Sequence, residues 1–436
     1  MFKKVLPLSS IIALRFLGLF IVLPVLSLYA LTLDGSSAKL VGIVIGGYAL
    51  TQALFQVPFG MMSDKLGRKK TIIFGLIIFI IGSILCASSD DIYSLMIGRF
   101  LQGAGAIGSV VTAMISDLVK EEERGHAMAI MGGSIAMSFT IAMIVGPLIG
   151  GHYGVGMLFN ITAFLSFLAI LILLFKVENP PKIKHSYSDK TDFKEILKNP
   201  NLIKMNITNF LQKGLMTFAF MIIPIMLVKT YGWDVKELYK IYVPSVILGI
   251  VAMGPSAVFA EKKAKAKEVL SIGIGFFMLT FLVMGFGNSE TSFMVGIVVF
   301  FIGFNIHEPI LQSLTTKFAK VHQRGTVLGI FNSFGYLGTF LGGALGGIFY
   351  AKISFGVIAI AISIICIVWL IMILNMPNPA RLKTLYLHEF EENNIHLLSS
   401  KEAVHDFYIN ESEHVVVIKF DETKSDEDDI KSIVSK

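Results

Sequence analysis

The chain has 436 residues, 54% of them hydrophobic and only 16% charged, with a mean hydropathy of +0.73. Soluble proteins carry roughly 25% charged residues, so the deficit excludes a soluble globular protein and requires a polytopic membrane protein whose helices satisfy their own backbone in lipid. The net charge of +6 does not mark a nucleic-acid binder, because the bases sit in short loops between apolar runs.

The N-terminus, Met1 to Lys4, is short and basic and lacks a cleavage site of small residues, so the first helix reads as a retained anchor. Apolar runs of ~20 residues are long enough to span a bilayer. They fall near 8–33, 40–62, 71–87, 92–116, 126–151 and 157–176, then near 204–229, 237–260, 268–286, 292–316, 326–350 and 356–375. The connections alternate in charge. Lys65 to Lys70, Lys120 with Arg124, Lys176 to Lys204, Lys262 to Lys267 and Lys317 to Arg324 fall on one side. Asp34, Lys39, Asp90, Asp91 and Glu290 fall on the other, so the positive-inside rule places both termini in the cytoplasm. The Pro- and Lys-rich segment 177–203 breaks the apolar pattern and reads as a cytoplasmic linker between a six-helix half at 1–176 and another at 204–376. Within it, Phe193 to Leu197 suggests a short interfacial helix.

The stretch between the second and third runs reads Gly60-Met-Met-Ser-Asp64-Lys65-Leu-Gly67-Arg68-Lys69-Lys70. Its charges cannot lie in hydrocarbon, so it forms a tight hairpin at a membrane surface. A Gly, an acid four residues on, a base, then Gly-Arg-Lys closely resembles the signature loop of the major facilitator superfamily. The resemblance implies two six-helix halves around a central cavity. It also implies a conformational lock at Gly60, Asp64, Gly67 and Arg68, with Arg68 paired to Asp117 and Asp64 capping the helix after Arg324 when the cavity opens outward.

The two halves repeat each other. Phe-Ile-Val-Leu-Pro at 20–24 matches Phe-Met-Ile-Ile-Pro at 220–224, and Arg124-Gly125 matches Arg324-Gly325. Glu261, Lys262, Ala264 and Lys265 stand as a degenerate echo of Asp64, Lys65, Gly67 and Arg68. Gly103-Ala104-Gly105-Ala106-Ile107-Gly108 has dinucleotide-fingerprint spacing but lies in an apolar helix with no preceding strand, so it predicts close helix packing and no cofactor. Gly146-Pro147 with Gly150-Gly151 resembles the kinked fifth-helix motif of proton-driven antiporters in this superfamily; Ala142 stands where that motif has Gly. Gly342, Gly343, Gly346 and Gly347 form the matching patch in the eleventh helix. Cys86 and Cys366 lie far apart in apolar runs and suggest neither a disulfide nor a metal site. Met205, Met216, Met221 and Met226 could be soft Cu(I) ligands or packing residues.

Charged groups inside a span are functional candidates. Arg15 lies in the first helix and Lys213 in the seventh; Glu308, with Asn305 and His307, lies in the tenth and is the one acid deep in a span. Arg99 with Gln102-Gly103 resembles the superfamily's fourth-helix Arg-x-x-Gln-Gly motif of proton coupling, against a structural reading as an Arg bonded to the neighbouring helix. Tyr48, Gln52 and Gln56 form a polar stripe at helical spacing, lining either a cavity or a helix contact. Glu308, Lys213, Arg99 and His307 are thus the proton-coupling candidates. Arg15, Tyr48, Gln52, Gln56 and Asn305 are the cavity candidates.

After Pro377 the composition turns polar. Leu382 to His388, Val404 to Ile409 and His414 to Phe420 read as strands, the last two joined by a turn at Asn410 to Glu413. Ser425 to Val434 reads as an amphipathic helix with Ser425 as N-cap. The tail, 380–436, resembles a ferredoxin-like domain lacking its last strand. With Arg15 to Pro24, Tyr48 to Gly60 and the Phe304-Asn305 and Glu308 positions, it makes the chain similar to the YajR-type transporters. The resulting expectation is an all-α twelve-helix membrane protein with a small α+β cytoplasmic tail. It would be a monomeric, proton-coupled exporter of small amphipathic compounds in the bacterial inner membrane. It would need no catalytic site, metal or cofactor, and its partners would be substrate, proton and lipid bilayer. The rivals are a metabolite or copper carrier, and a membrane sensor that signals through the tail.

Overall fold

The computed structural model describes residues 2–178, 193–287, 289–319, 323–378, 382–410 and 414–434. Most of the linker 177–203, and residues 411–413 of the strand-to-strand turn, lie outside the described residues. Twelve helices among the described residues are long and apolar enough to cross a membrane. They are α1 (Phe2–Ala30), α2 (Ala38–Leu66), α3 (Arg68–Ala87), α4 (Ile92–Leu118), α5 (Arg124–Tyr153), α6 (Val155–Lys176), α7 (Pro200–Thr230), α8 (Val235–Glu261), α9 (Ala266–Phe286), α10 (Glu290–Phe318), α11 (Arg324–Lys352) and α12 (Phe355–Leu374). A short helix, Phe193–Lys198, precedes α7. The even number of spans puts the beginning of α1, the α2–α3 hairpin and the tail at one end of the bundle, here the termini face.

Three spans are irregular where the sequence removes donors or side chains. Pro24 cannot donate to the preceding turn, and α1 is interrupted at Val22. Its counterpart Pro224 precedes a wide π turn at Met226–Thr230 that ends α7. In α4 the helix breaks between Ala104 and Gly108. A Cβ on Gly103 would collide with the carbonyl of Tyr48, and one on Gly105 with that of Gly75. That glycine run is a helix-packing surface.

The packing repeats between halves. α1 lies on α5 as α7 lies on α11, α2 on α4 as α8 on α10, and α3 on α6 as α9 on α12. The halves meet most tightly away from the termini face, where α2 crosses α11. A Cβ on Gly42 would strike the carbonyl of Gly343, and one on Gly347 that of Ala38. Lipid supplies no hydrophobic drive for helices to associate, so such backbone contacts carry the crossing. Towards the termini face the opposite holds: a Cβ on Gly132, Gly133, Gly254, Gly325 or Gly329 would meet nothing within 4 Å. The two halves are closed at one end and parted at the other.

The tail forms a three-stranded antiparallel sheet, β1 (Leu382–Leu387), β2 (Val404–Asn410) and β3 (Val415–Asp421), in the order β1-β3-β2. Leu385, Val416, Ile418 and Phe420 bury one face against Ile395, Leu398, Ile430 and Val434, the last two from α13 (Glu427–Val434). The N-cap differs from expectation: Asp426 Oδ1 accepts from the Asp429 amide at 2.8 Å, while the Ser425 hydroxyl reaches only the Asp429 carboxylate at 3.5 Å. The alternation along β1 and β3 leaves Thr384, Tyr386, Val417 and Lys419 on the other face, which turns toward the membrane helices.

Candidate functional site

Lys213 of α7 and Glu308 of α10 meet between the helices, with Lys213 Nζ 2.9 Å from Oε1 and 2.8 Å from Oε2. Gln212 Nε2 donates to Glu308 Oε2 at 3.1 Å and to the Phe304 carbonyl at 3.4 Å. The Lys213 ammonium also lies 5.0 Å from the centre of the Phe304 ring. Phe304 is one turn from Glu308 and packs on Phe139 of the other half, so the pair faces the space between the halves. The side chains keep 25% and 34% exposure, which leaves them within reach of water.

Beyond the pair, away from the termini face, an aromatic cluster closes the gap. Phe139 of α5 makes an edge contact with Phe220 of α7 at 6.1 Å and tilted contacts with Phe301 and Phe304 of α10 at 6.3 and 5.9 Å. Phe20 of α1 adds a T-shaped contact at 5.2 Å. Each such pair contributes roughly 0.5–1.5 kcal/mol beyond its buried area. The cluster is a plug made by both halves.

Arg15 is fully buried in the first half. Its Nη2 donates to Gln52 Oε1 at 3.3 Å, its guanidinium lies 5.1 Å from the Phe79 ring centre, and Nε and Nη1 have no partner. Tyr48 and Tyr336 pack beside it, Tyr336 coming across from α11. Gln56 is buried near Gly108. Arg99 donates to the carbonyls of Val44 and Ile45 at 3.2 and 3.4 Å and to Gln102 Oε1 at 2.7 Å, and sits 4.6 Å over Tyr48. Gln102 in turn donates to Ser83. With no acid bonded to it among the described residues, Arg99 has the geometry of a structural clamp on α2.

Two candidates lie elsewhere than expected. His307 points away from Glu308 towards α9 and α12: its Nε2 is 2.8 Å from the Leu270 carbonyl, and its ring packs on Phe277 and Trp369. Neighbouring residues on a helix point about 100° apart, so adjacency to Glu308 in sequence does not bring His307 to the same face. Asn305 turns to α8, where a Cβ on Gly249 would come 2.5 Å from its Nδ2, and donates to the Phe301 carbonyl. Met205, Met216 and Met221 are buried packing residues, and the Met226 sulfur accepts from Thr230. Gly146 and Gly150 let α5 approach α1, with Gly146 against the Ile21 carbonyl beside Pro147, and Gly151 meets Lys236 at the start of α8.

In the signature loop, Gly67 has φ +95°, a left-handed conformation that favours glycine and permits the turn. Arg68 Nε donates to Asp117 Oδ2 at 2.9 Å, and its Nη1 reaches Asp64 Oδ1 at 2.6 Å. The Asp64 side chain is otherwise 65% exposed, and among the described residues no hydrogen bond or ion pair joins it to α11. Gly60 is uncrowded, with Ser109 Oγ 4.0 Å from where its Cβ would be. The loop is therefore seen disengaged from the second half, as fits a termini face that is parted. Sequence reasoning missed Gln212, Phe139 and Tyr336. Gln212 had a legible signal, a polar residue adjoining the intramembrane Lys213.

The Major Facilitator Superfamily pattern matches residues 8–343 and 263–402, and the chain belongs to that family. The chain is 34% identical over 426 residues to the inner membrane transport protein YajR of Escherichia coli (strain K12), covering 95% of this chain and 93% of that protein. It is 26% identical over 368 residues to the quinolone resistance protein NorA of Staphylococcus aureus, covering 79% of this chain and 89% of that protein. Among solved structures, the human organic anion transporter MFSD10 superposes with a TM-score of 0.65 at 16% identity, over 85% of this chain and 99% of that one. A bacterial homologue of the human lysosomal transporter Spinster, inward-facing and unoccupied, gives 0.64 at 18%, over 85% and 91%. These two likenesses concern the fold. The protein is a multi-pass membrane protein of a transporter family.

Proposed function

We propose that the protein is a proton-coupled secondary transporter that exports small amphipathic compounds across the bacterial inner membrane by alternating access, acting as a monomer with both termini in the cytoplasm. The observation that carries this reading is the Lys213–Glu308 pair. It is a membrane-embedded carboxylate at 2.8 Å from an ammonium, set between the halves on the open side of the aromatic plug. A proton on Glu308 removes the charge that holds Lys213 and loosens the α7–α10 contact beside the plug. A cationic substrate favours the ionised acid, so substrate and proton compete for one site. The relatives support transport at the inner membrane, the place named for one of them, and the other's name, a quinolone resistance protein, fits removal of small amphipathic compounds.

Alternating access then requires the halves to rock, opening the glycine crossing of α2 and α11 while the termini face closes. On closure, Asp64 would meet the N-terminus of α11, whose partial positive charge suits a carboxylate. Transport in proteoliposomes under an imposed pH gradient tests the proposal. Gradient-driven accumulation of fluorescent amphipathic cations, ethidium among them, is expected. Binding without translocation would instead identify a sensor, and translocation indifferent to pH a facilitative carrier.

A further inference from the structure

The tail is not tethered only by its covalent link; it is docked across the parted mouth. On the second half, Arg324, the first residue of α11, donates from Nη2 to Thr384 Oγ1 at 2.7 Å and from Nη1 to the Tyr386 hydroxyl at 3.3 Å. Lys419, next to Thr384 in the β1–β3 register, donates to the Ala319 carbonyl at 2.6 Å, just past the end of α10. Helix ends of this kind carry partial negative charge and unpaired carbonyls. On the first half, His388 Nε2 lies 3.1 Å from Glu122 Oε2, in the connection between α4 and α5. The α4–α5 and α10–α11 connections are the two repeat-related loops that carry Arg124 and Arg324. One small sheet therefore holds equivalent points of both halves at once.

Closing the termini face moves those points relative to each other, and a rigid sheet cannot follow both. The guanidinium that Thr384 and Tyr386 hold also stands at the helix terminus that Asp64 must reach. We propose that the docked tail is a strut: it holds the termini face open and withholds the start of α11 from Asp64 until the sheet lets go. The strut rests on the lock reading of Asp64 given above, and releasing the tail is a separate step from releasing the proton.

The test uses the full-length chain in lipid, with spin labels on Lys65→Cys and Lys262→Cys, exposed positions of the equivalent hairpins in the two halves. The native thiols Cys86 and Cys366 are buried. Pulsed electron–electron double resonance reads the distance between halves. Thr384→Val with Tyr386→Phe removes both acceptors of Arg324 without touching the tail's apolar core, and His388→Ala severs the other anchorage separately. The first variant is expected to raise the short-distance, closed population at least tenfold, since the loss of even one hydrogen bond to a charged group is on that scale. The second, at an exposed pair, should raise it up to about fivefold. Distributions unchanged in both variants would overturn the strut. Asp64→Asn in the same labelled chain keeps the two readings apart. If the tail variants close the mouth and Asp64→Asn has no effect on the closed population, the lock is wrong: the tail still holds the face open, but the part of the strut that withholds α11 from Asp64 is overturned.

Discussion

Replacing Glu308 by glutamine keeps the shape of the side chain and removes the proton it can release. The structure sets the size of the structural side effect. Lys213 loses its one carboxylate partner and keeps Phe304 below it, at 25% exposure. Exposed pairs are worth roughly 0.2–1 kcal/mol, and breaking a buried one costs roughly 3–5 kcal/mol. A pair about a quarter to a third exposed falls between, at about 1–3 kcal/mol, too little to unfold a bundle with this much buried apolar surface. Glu308→Gln should therefore express and bind, with a modestly lowered unfolding midpoint, yet lose proton-driven transport. The assay is ethidium accumulation in proteoliposomes after a pH jump, alongside equilibrium ethidium binding. A static pair predicts a different pattern: Lys213→Met with Glu308→Gln removes both charges and should restore transport. If that double variant couples transport to pH as the parent does, Glu308 is not the proton carrier.

Asp64→Asn should leave the termini-open form intact, because the side chain is exposed and bonded only to Arg68, but should lower transport at least tenfold with normal expression; parental rates would refute the lock. Gly343→Val places a Cβ 2.6 Å from the Gly42 carbonyl and 3.0 Å from the Gly46 amide, so it should destabilise the crossing by about 1–3 kcal/mol, read as a lowered unfolding midpoint in detergent. Lys419 should make tail docking depend on pH: burial, then Arg324 and Lys317, push its ammonium down to about 7, with Asp406 opposing. An undocked lysine titrates near 10.4, so the docked state holds fewer protons between the two values. Docking should strengthen as pH rises above about 7, by up to tenfold per unit, and flatten below it. Distances between labels on Lys120→Cys and Lys401→Cys across pH 6–9 check this, and Lys419→Met should remove the strengthening above pH 7.

The fold was legible because a bilayer imposes a length on every apolar run, and twelve such runs separated by charged loops leave few architectures. The tail was legible as short strand-like runs between polar turns, with the edges of β1 and β3 placed to within one residue. The side-chain directions within the spans were not. A helix apolar on all sides offers no moment to say which face meets lipid, a neighbour or the cavity. His307 and Asn305 were therefore grouped with Glu308 as candidates around the cavity, although one serves α9 and α12 and the other α8. The break in α4 was hidden for a related reason. Gly103 to Gly108 announced close packing, but a glycine run does not say whether the chain stays helical through it. Whether Arg99 moves protons or clamps α2 depended on what lies within reach of its guanidinium, which only the crossing of α2 and α4 decides.

The repeat is imperfect at the termini face, and the imperfection there has a consequence. An ion pair ties each half's hairpin to that half's own α4 or α10. In the first half the base comes from the hairpin, Arg68, and the acid from α4, Asp117; in the second the acid comes from the hairpin, Glu261, and the base from α10, Lys317, at 2.8 Å. Asp117 and Lys317 stand at matching positions with opposite charge. The turns match as well, since Ala264 adopts φ +51° where Gly67 has +95°. Exchanging the charges preserves the tether and changes what is left over. Arg68 offers several donors and reaches Asp117 while still touching an exposed Asp64, so the first half keeps a carboxylate to present to its partner. Glu261, the match of Asp64, is engaged by Lys317 and by Ser313 at 2.6 Å. A lock made from these parts runs one way, from the first half onto α11. The start of α11 is also where the tail takes hold, so the proposed lock and the proposed strut share one helix end.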